Sequence, residues 1–275
     1  MTPTIGVFDS GFGGLTVLRA LVARLPQARF VFIGDTARLP YGSKSRRTIA
    51  RYAVECAQFL VREQGAQYLV IACNTASALA LDAIQDAVPV PVLGVIEPGA
   101  TAARAASRTG DVLVMATDAT VHSHAYAAAC SAQGLRALEK ACPLLVPLVE
   151  EAWTDHPVTA EVIRIYLDEL NAEAAALGLK PDTLVLGCTH YPLLRPLIER
   201  AAPAGMRVID SAEAAAEAAV RQFGNGIKLA GGAGQEAIDL DLRCFATDSV
   251  EKFERLGSRF LGRPVGNVEL VDLGG

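Results

Sequence analysis

The sequence predicts an α/β fold: two similar three-layer domains with mainly parallel sheets, related by pseudo-twofold symmetry, with the working cleft between them. Three observations carry this expectation. Short uninterrupted apolar runs alternate with stretches of helical period, the pattern of strands covered on both faces and joined by crossover helices. Several of those runs end in clusters of small and polar residues, where open α/β sheets place their ligands. The two halves also keep step: 115 positions separate Cys73 from Cys188, and 115 separate Asp35 from Glu150.

In chain order, Ile5-Gly6-Val7-Phe8 is a first buried strand. It runs into Asp9-Ser10-Gly11-Phe12-Gly13-Gly14, after which Leu15, Leu18, Leu21, Val22 and Leu25 recur at helical spacing. A glycine-rich turn that opens a helix presents backbone N–H groups at the positive end of a dipole. Its spacing is neither a dinucleotide GxGxxG nor a P-loop. The turn is therefore expected either to receive a carboxylate or lone phosphate, or only to need small residues. Phe30-Val31-Phe32-Ile33-Gly34 is a second strand. It ends in a polar loop from Asp35 to Ser43, where Tyr41 and Gly42 offer a phenol and a backbone amide. Residues 46–64 read as a helix with Cys56 on its apolar face as core filler. The run 68–72 is a third strand and delivers Cys73-Asn74-Thr75-Ala76-Ser77.

A helix reaching Val88 and a strand over 89–95 follow. Ile96-Glu97-Pro98-Gly99 is expected to stop regular structure and mark the crossing to a second domain. The domains are then 1–97 plus 208–275, and 98–207. The second half restarts at Asp111-Val112-Leu113-Val114-Met115-Ala116. Thr117, Thr120, Ser123 and Tyr126 come after it at intervals of three, so four hydroxyls share one face of a turn or helix start. His122 and His124 between them read as exposed polar residues rather than metal ligands. The run 144–149 ends at Glu150. A helix over 159–177 leads to Leu184-Val185-Leu186-Gly187, which ends in Cys188-Thr189-His190-Tyr191-Pro192. A strand over 206–210, a helix over 212–223, a glycine-rich loop at 231–234 and a segment over 250–260 complete the chain.

Bulk properties exclude several classes. Of 275 residues, 51% are hydrophobic and 20% charged, and the net charge is −5. The pI is about 5.5. A large core is easily buried, and no basic stripe points to nucleic acid as a partner. No apolar run is long enough to span a membrane, and the start lacks the basic and apolar segments of a signal peptide. A cytoplasmic protein with six reduced thiols is expected. No pair of cysteines has CxxC spacing, so no structural zinc site is expected. No lysine falls in the motifs, so a pyridoxal Schiff base is not indicated.

If Cys73 and Cys188 face one cleft, their chemistry is proton transfer at carbon. One thiolate removes a proton from one face of a stereocentre while the other thiol delivers one to the opposite face. Asp9 beside Cys73 and His190 beside Cys188 are the natural proton partners, with Asp35 and Glu150 supporting them. Ser10, Asn74, Thr75, Thr189 and the amides of Gly42 and the 11–14 turn are candidates to hold the substrate's charge. Cys130, Cys142 and Cys244, like Cys56, lack polar neighbours in sequence and read as packing.

These motifs resemble those of the glutamate racemases, within the cofactor-independent aspartate/glutamate racemase family. Asp9-Ser10-Gly11-x-Gly13-Gly14-Leu15-Thr16, Gly34-Asp35-Thr36-Ala37-Arg38-x-Pro40-Tyr41-Gly42, Cys73-Asn74-Thr75-Ala76-Ser77 and Gly187-Cys188-Thr189-His190-Tyr191-Pro192 carry the likeness over nearly the whole chain. The resemblance implies cofactor-independent interconversion of L- and D-glutamate, supplying D-glutamate for peptidoglycan. It implies that Cys73 takes the α-proton of D-glutamate and Cys188 that of L-glutamate. Asp9, Ser10, Tyr41, Gly42, Asn74, Thr75, Thr120, Thr189 and His190 would contact or support the substrate. A homodimer is implied, without activation by a cell-wall precursor. Ala152 stands where the family more often has glycine. Rival readings are an aspartate racemase, an enzyme that uses a single cysteine, and a two-domain solute-binding or metal-binding protein without catalysis.

Overall fold

The computed structural model describes residues 2–224 and 240–274, so the expected loop at Gly231-Gly232-Ala233-Gly234 lies outside the described residues. The first half runs β1 (Thr4–Asp9), α1 (Leu15–Arg24), β2 (Arg29–Gly34), α2 (Arg46–Arg62), β3 (Tyr68–Ile71), α3 (Asn74–Leu79), α4 (Leu81–Ala87), β4 (Val92–Gly94) and α5 (Ile96–Ala106). The second runs β5 (Asp111–Ala116), α6 (Asp118–Ser123), α7 (Ala125–Ala132), β6 (Arg136–Ala141), α8 (Leu145–Glu150), α9 (Pro157–Ala176), β7 (Thr183–Gly187), α10 (Arg195–Ala201) and β8 (Arg207–Asp210). The chain then adds α11 (Ser211–Phe223), β9 (Leu242–Ala246), α12 (Val250–Leu261) and β10 (Val268–Leu270).

The strands form two sheets, and every pairing among the described residues is parallel. The first has the order β10-β9-β2-β1-β3-β4 and the second β6-β5-β7-β8. The stretch β2-β1-β3-β4 repeats in β6-β5-β7-β8, so each half holds one copy of the same unit. In each copy the chain leaves the first strand for the neighbour on one side, and then crosses over to a strand on the other side. That reversal opens a crevice at the strands' C-terminal ends. Cys73 follows β3 and Cys188 follows β7, which are equivalent strands flanking the two crevices.

Physical chemistry explains the strand types. β1, β5 and β7 are buried along their full length, as expected for central parallel strands with helices on both faces. β6 is an edge strand, half-exposed, and it carries Arg136, Glu139 and Lys140. α11 carries buried Ala212, Ala215, Ala216 and Ala219, and it packs on both α1 and α5. Small side chains let it approach closely and tie the returning chain to both halves.

The structure corrects three expectations. Glu97-Pro98-Gly99 does not stop regular structure but lies in the first turn of α5. There the missing proline N–H has no intrahelical acceptor to lose. The run 144–149 lies largely in α8, so Glu150 ends a helix. In the repeated unit the position matching Asp35, just past β2, is held by Cys142, just past β6. The equal spacing of the two acids thus does not mark equivalent strand ends. The expected boundary between 207 and 208 falls inside β8, which pairs with β7 in the second sheet. β9 and β10 join the first sheet.

Candidate active site

A cavity of about 450 Å³ lies where the C-terminal ends of the two sets of strands converge, within the size range of small-molecule sites. Cys73 and Cys188 both line it, each 5% exposed. The two thiols therefore reach one space from equivalent places in the two units.

Cys73 is the N-cap of α3, and its sulfur accepts from the Ala76 N–H at 3.4 Å. Its thiol in turn donates to Ser10 Oγ at 3.5 Å. Burial, then the nearby charge of Asp9, pushes the Cys73 thiol up to about 12. Asp9 ends β1 and is 1% exposed. Burial raises its pKa, against the lowering effects of His190 and of the turn's backbone N–H groups. The Gly11 N–H donates to Asp9 Oδ2 at 2.9 Å. The glycine-rich turn thus commits an amide to its own carboxylate rather than to an external anion.

Cys188 is partnered differently. Its sulfur lies 4.0 Å from His190 Nδ1, and His190 Nε2 lies 3.3 Å from Glu150 Oε1. Burial acts to lower the His190 pKa, but the hydrogen bonds and charges of Cys188 and Glu150 outweigh it and raise it to about 10. Burial opposes the ionisation of Glu150, yet His190 and then Lys252 bring its pKa below the ordinary value. Lys252 Nζ stands 3.6 Å from Glu150 Oε2 and extends the line sulfur, imidazole, carboxylate, ammonium. Thr16 Oγ1 donates to the Thr189 carbonyl at 3.1 Å, which fastens the Cys188 loop to the first half.

This pairing sets a pH dependence. A histidine whose folded pKa is raised contributes stability that is fully present below its unfolded value of about 6.5. The contribution is lost as pH rises through about 10. Removing one partner with Glu150→Gln should move that loss to lower pH by about one to three pH units. Denaturant midpoints of wild type and variant between pH 6 and about 10.5 measure it; superimposable curves would contradict the ion pair.

A hydroxyl cluster covers another wall. Thr75 Oγ1 lies 3.0 Å from Thr117 Oγ1 and 3.3 Å from Thr120 Oγ1, and the latter two are 2.9 Å apart. Thr117 lines the cavity, whereas Thr120 is fully buried behind it. Asn74, Ser10, Gly42 and Thr189 also line the space. His122 and His124 turn to separate acids, Asp118 and Glu139.

Asp35 and Tyr41 depart from expectation. Asp35 is fully buried and does not line the cavity. It accepts from the Tyr41 phenol at 2.5 Å, Arg38 Nε at 2.8 Å and Thr247 Oγ1 at 2.9 Å. The phenol is therefore committed to Asp35 and offers a ligand only the flank of its ring. Asp35 acts on the cavity by holding the 39–43 loop. Cys56 is not free of polar company either: Arg38 Nη2 sits 3.6 Å from its sulfur. The separation of the two residues along the chain hides that contact from the sequence.

Sequence motifs do not reveal the apolar walls Phe12, Leu39, Pro143, Val146 and Pro147, or the outer cation Lys252. Apolar loop residues carry no local signal that distinguishes a cavity wall from packing. Ala152, just past Glu150, adopts φ +65°, the left-handed region that glycine occupies without cost.

Comparison with known proteins gives consistent results. Residues 5–219 match the family described as Asp/Glu/Hydantoin racemase. The glutamate racemase of Koribacter versatilis is 53% identical over 290 residues, covering 99% of this chain and 98% of that protein. A glutamate racemase isoform from Bacillus anthracis superposes with a TM-score of 0.86 at 36% identity, covering 98% of each chain. A glutamate racemase from Francisella tularensis, solved in complex with D-glutamate, gives 0.85 at 33% identity over 99% of this chain and 98% of that one.

Proposed function

This chain belongs to the Asp/Glu/Hydantoin racemase family, and we propose that its cleft interconverts L- and D-glutamate by proton transfer between two thiols, without a cofactor. One observation carries the reading: Cys73 and Cys188 line the same cavity from equivalent strand ends. A carbon between them is exposed to one acid or base on each face.

For the starting state we assign the thiol to Cys73 and the thiolate to Cys188. Cys73, pushed up to about 12, is a thiol at neutral pH. His190, raised to about 10, is an imidazolium 4.0 Å from the Cys188 sulfur. In that state Cys188 takes the α-proton of L-glutamate while the Cys73 S–H bond breaks toward the opposite face of the same carbon. The products are D-glutamate, a Cys188 thiol and a Cys73 thiolate. D-glutamate is handled in reverse from that second state. Asp9, with its raised pKa, is placed to exchange the proton of Cys73, and His190 that of Cys188. The carbanionic transition state needs its carboxylate held by fixed donors. Ser10, Asn74, Thr75, Thr189 and the Gly42 amide are the groups we assign to that task, with Thr120 behind them.

Among the described residues no helix is long and apolar enough to cross a membrane. The same proposal makes the enzyme a cytoplasmic homodimer whose product serves peptidoglycan synthesis. Circular dichroism of L-glutamate incubated with metal-free, cofactor-free enzyme tests the central claim. The signal should decay to zero, with solvent deuterium entering mainly the product enantiomer. Faster decay with L-aspartate would overturn the choice of substrate.

A further inference from the structure

Tyr126 lies on α7 in the second half and is fully buried. Its ring occupies a slot between two glycines. A Cβ on Gly187 would stand 2.9 Å from Tyr126 Cε2, and one on Gly99 3.1 Å from Cε1. The slot aims the phenol across the boundary between the halves, where its O–H donates to Asn74 Oδ1 at 2.7 Å. Asn74 is 2% exposed, lines the cavity and is the residue next to Cys73.

With its carbonyl taken, Asn74 is left with its amide nitrogen. Nδ2 is buried and has no hydrogen-bond partner. Buried donors are nearly always paired, and one left over inside a cavity wall needs an acceptor. Burial also keeps the phenol in its O–H form by raising its pKa far above the ordinary value. Ser211, the other buried hydroxyl beside it, stands outside ordinary hydrogen-bond geometry.

We infer that Tyr126 is a positioning residue, which locks the Asn74 side chain so that its N–H groups, not its carbonyl, face a carboxylate oxygen of the substrate. The inference rests on the racemase reading. Without the lock the amide can turn over and present a carbonyl oxygen, which repels a carboxylate. Tyr126 thus acts on the substrate without touching it.

The test is a double-mutant cycle in steady-state racemisation. Tyr126→Phe keeps the ring and removes only the O–H. It should lower kcat/KM by about tenfold, mostly as a rise in KM, because the lost contact is made in ground and transition states alike. Asn74→Ala should lose at least as much. The double variant should be no worse than Asn74→Ala alone, because the lock has nothing left to hold. Gly99→Ala, a helix-compatible change that crowds the phenol, should raise KM in the same direction and keeps the test alive if Tyr126→Phe folds poorly. Tyr126→Phe within twofold of wild type would overturn the inference. So would an undiminished cost in the Asn74→Ala background, which would mean that Tyr126 acts through packing. Absence of racemisation by the wild-type enzyme would instead overturn the functional reading itself.

Discussion

Cys73→Ala and Cys188→Ala will each stop racemisation, by at least about 10⁴-fold, the upper range for loss of one general acid or base. The reason is geometric. Inversion needs a proton removed from one face and another delivered to the opposite face, and a single sulfur cannot do both. Each thiol lines the cavity with a distinct proton partner, Asp9 for Cys73 and His190 for Cys188. The two variants should therefore differ in what they retain. Cys73→Ala keeps Cys188 and should still exchange the α-hydrogen of L-glutamate with deuterated solvent, without producing D-glutamate. Cys188→Ala should do so for D-glutamate only. Proton NMR of each enantiomer in deuterated buffer separates these outcomes. If one variant racemised within tenfold of wild type, the two-thiol scheme would be abandoned in favour of an enzyme with one essential cysteine. Neither change threatens the fold, because each removes one sulfur atom next to existing space.

Gly34→Ala will be the most damaging single-methyl change among the glycines described. Gly34 ends β2, and a Cβ there would lie 2.1 Å from the Gly11 carbonyl oxygen and 2.7 Å from the Phe253 ring. The first of these is backbone, so no rotamer change relieves it. Overpacking of this kind costs roughly 3 kcal/mol. The melting temperature should fall on the order of 5–10 °C. The damage should also reach the chemistry. Displacing Gly11 moves the 10–14 turn, and with it the Ser10 hydroxyl that receives the Cys73 thiol. The melting temperature and kcat/KM should both fall in the folded variant. Unchanged kcat/KM in a destabilised enzyme would show that the turn tolerates the shift.

Much of this architecture is legible in the order of the residues. The apolar runs within β1, β5 and β7 announce parallel sheets, because strands buried on both faces lack polar alternation. Cys73, Asn74, Thr75, Cys188, Thr189 and His190 stand out because strand-end motifs carry their chemistry locally. Other features do not. Glu97-Pro98-Gly99 reads as a break because proline at a helix start and proline in a loop look the same in sequence. Glu150 is singled out by its matched interval with Asp35, but that interval compares a helix end with a strand end. Glu150 reaches His190 for a different reason, because α8 aims it there.

The sequence alone decided the sheet class, the pair of thiols and their immediate neighbours, since each of these depends on residue type and on contacts a few positions apart. Only tertiary structure decided that Tyr41 serves Asp35 rather than a ligand, that Arg38 touches Cys56, that Lys252 completes the line from Cys188, and that Tyr126 orients Asn74. Most of these join side chains far apart along the chain, and all of them need side chains to converge. Which atoms meet is set by how the two units pack, and hydrogen-bond energies of about 1 kcal/mol leave no trace in the apolar periodicity that a sequence displays.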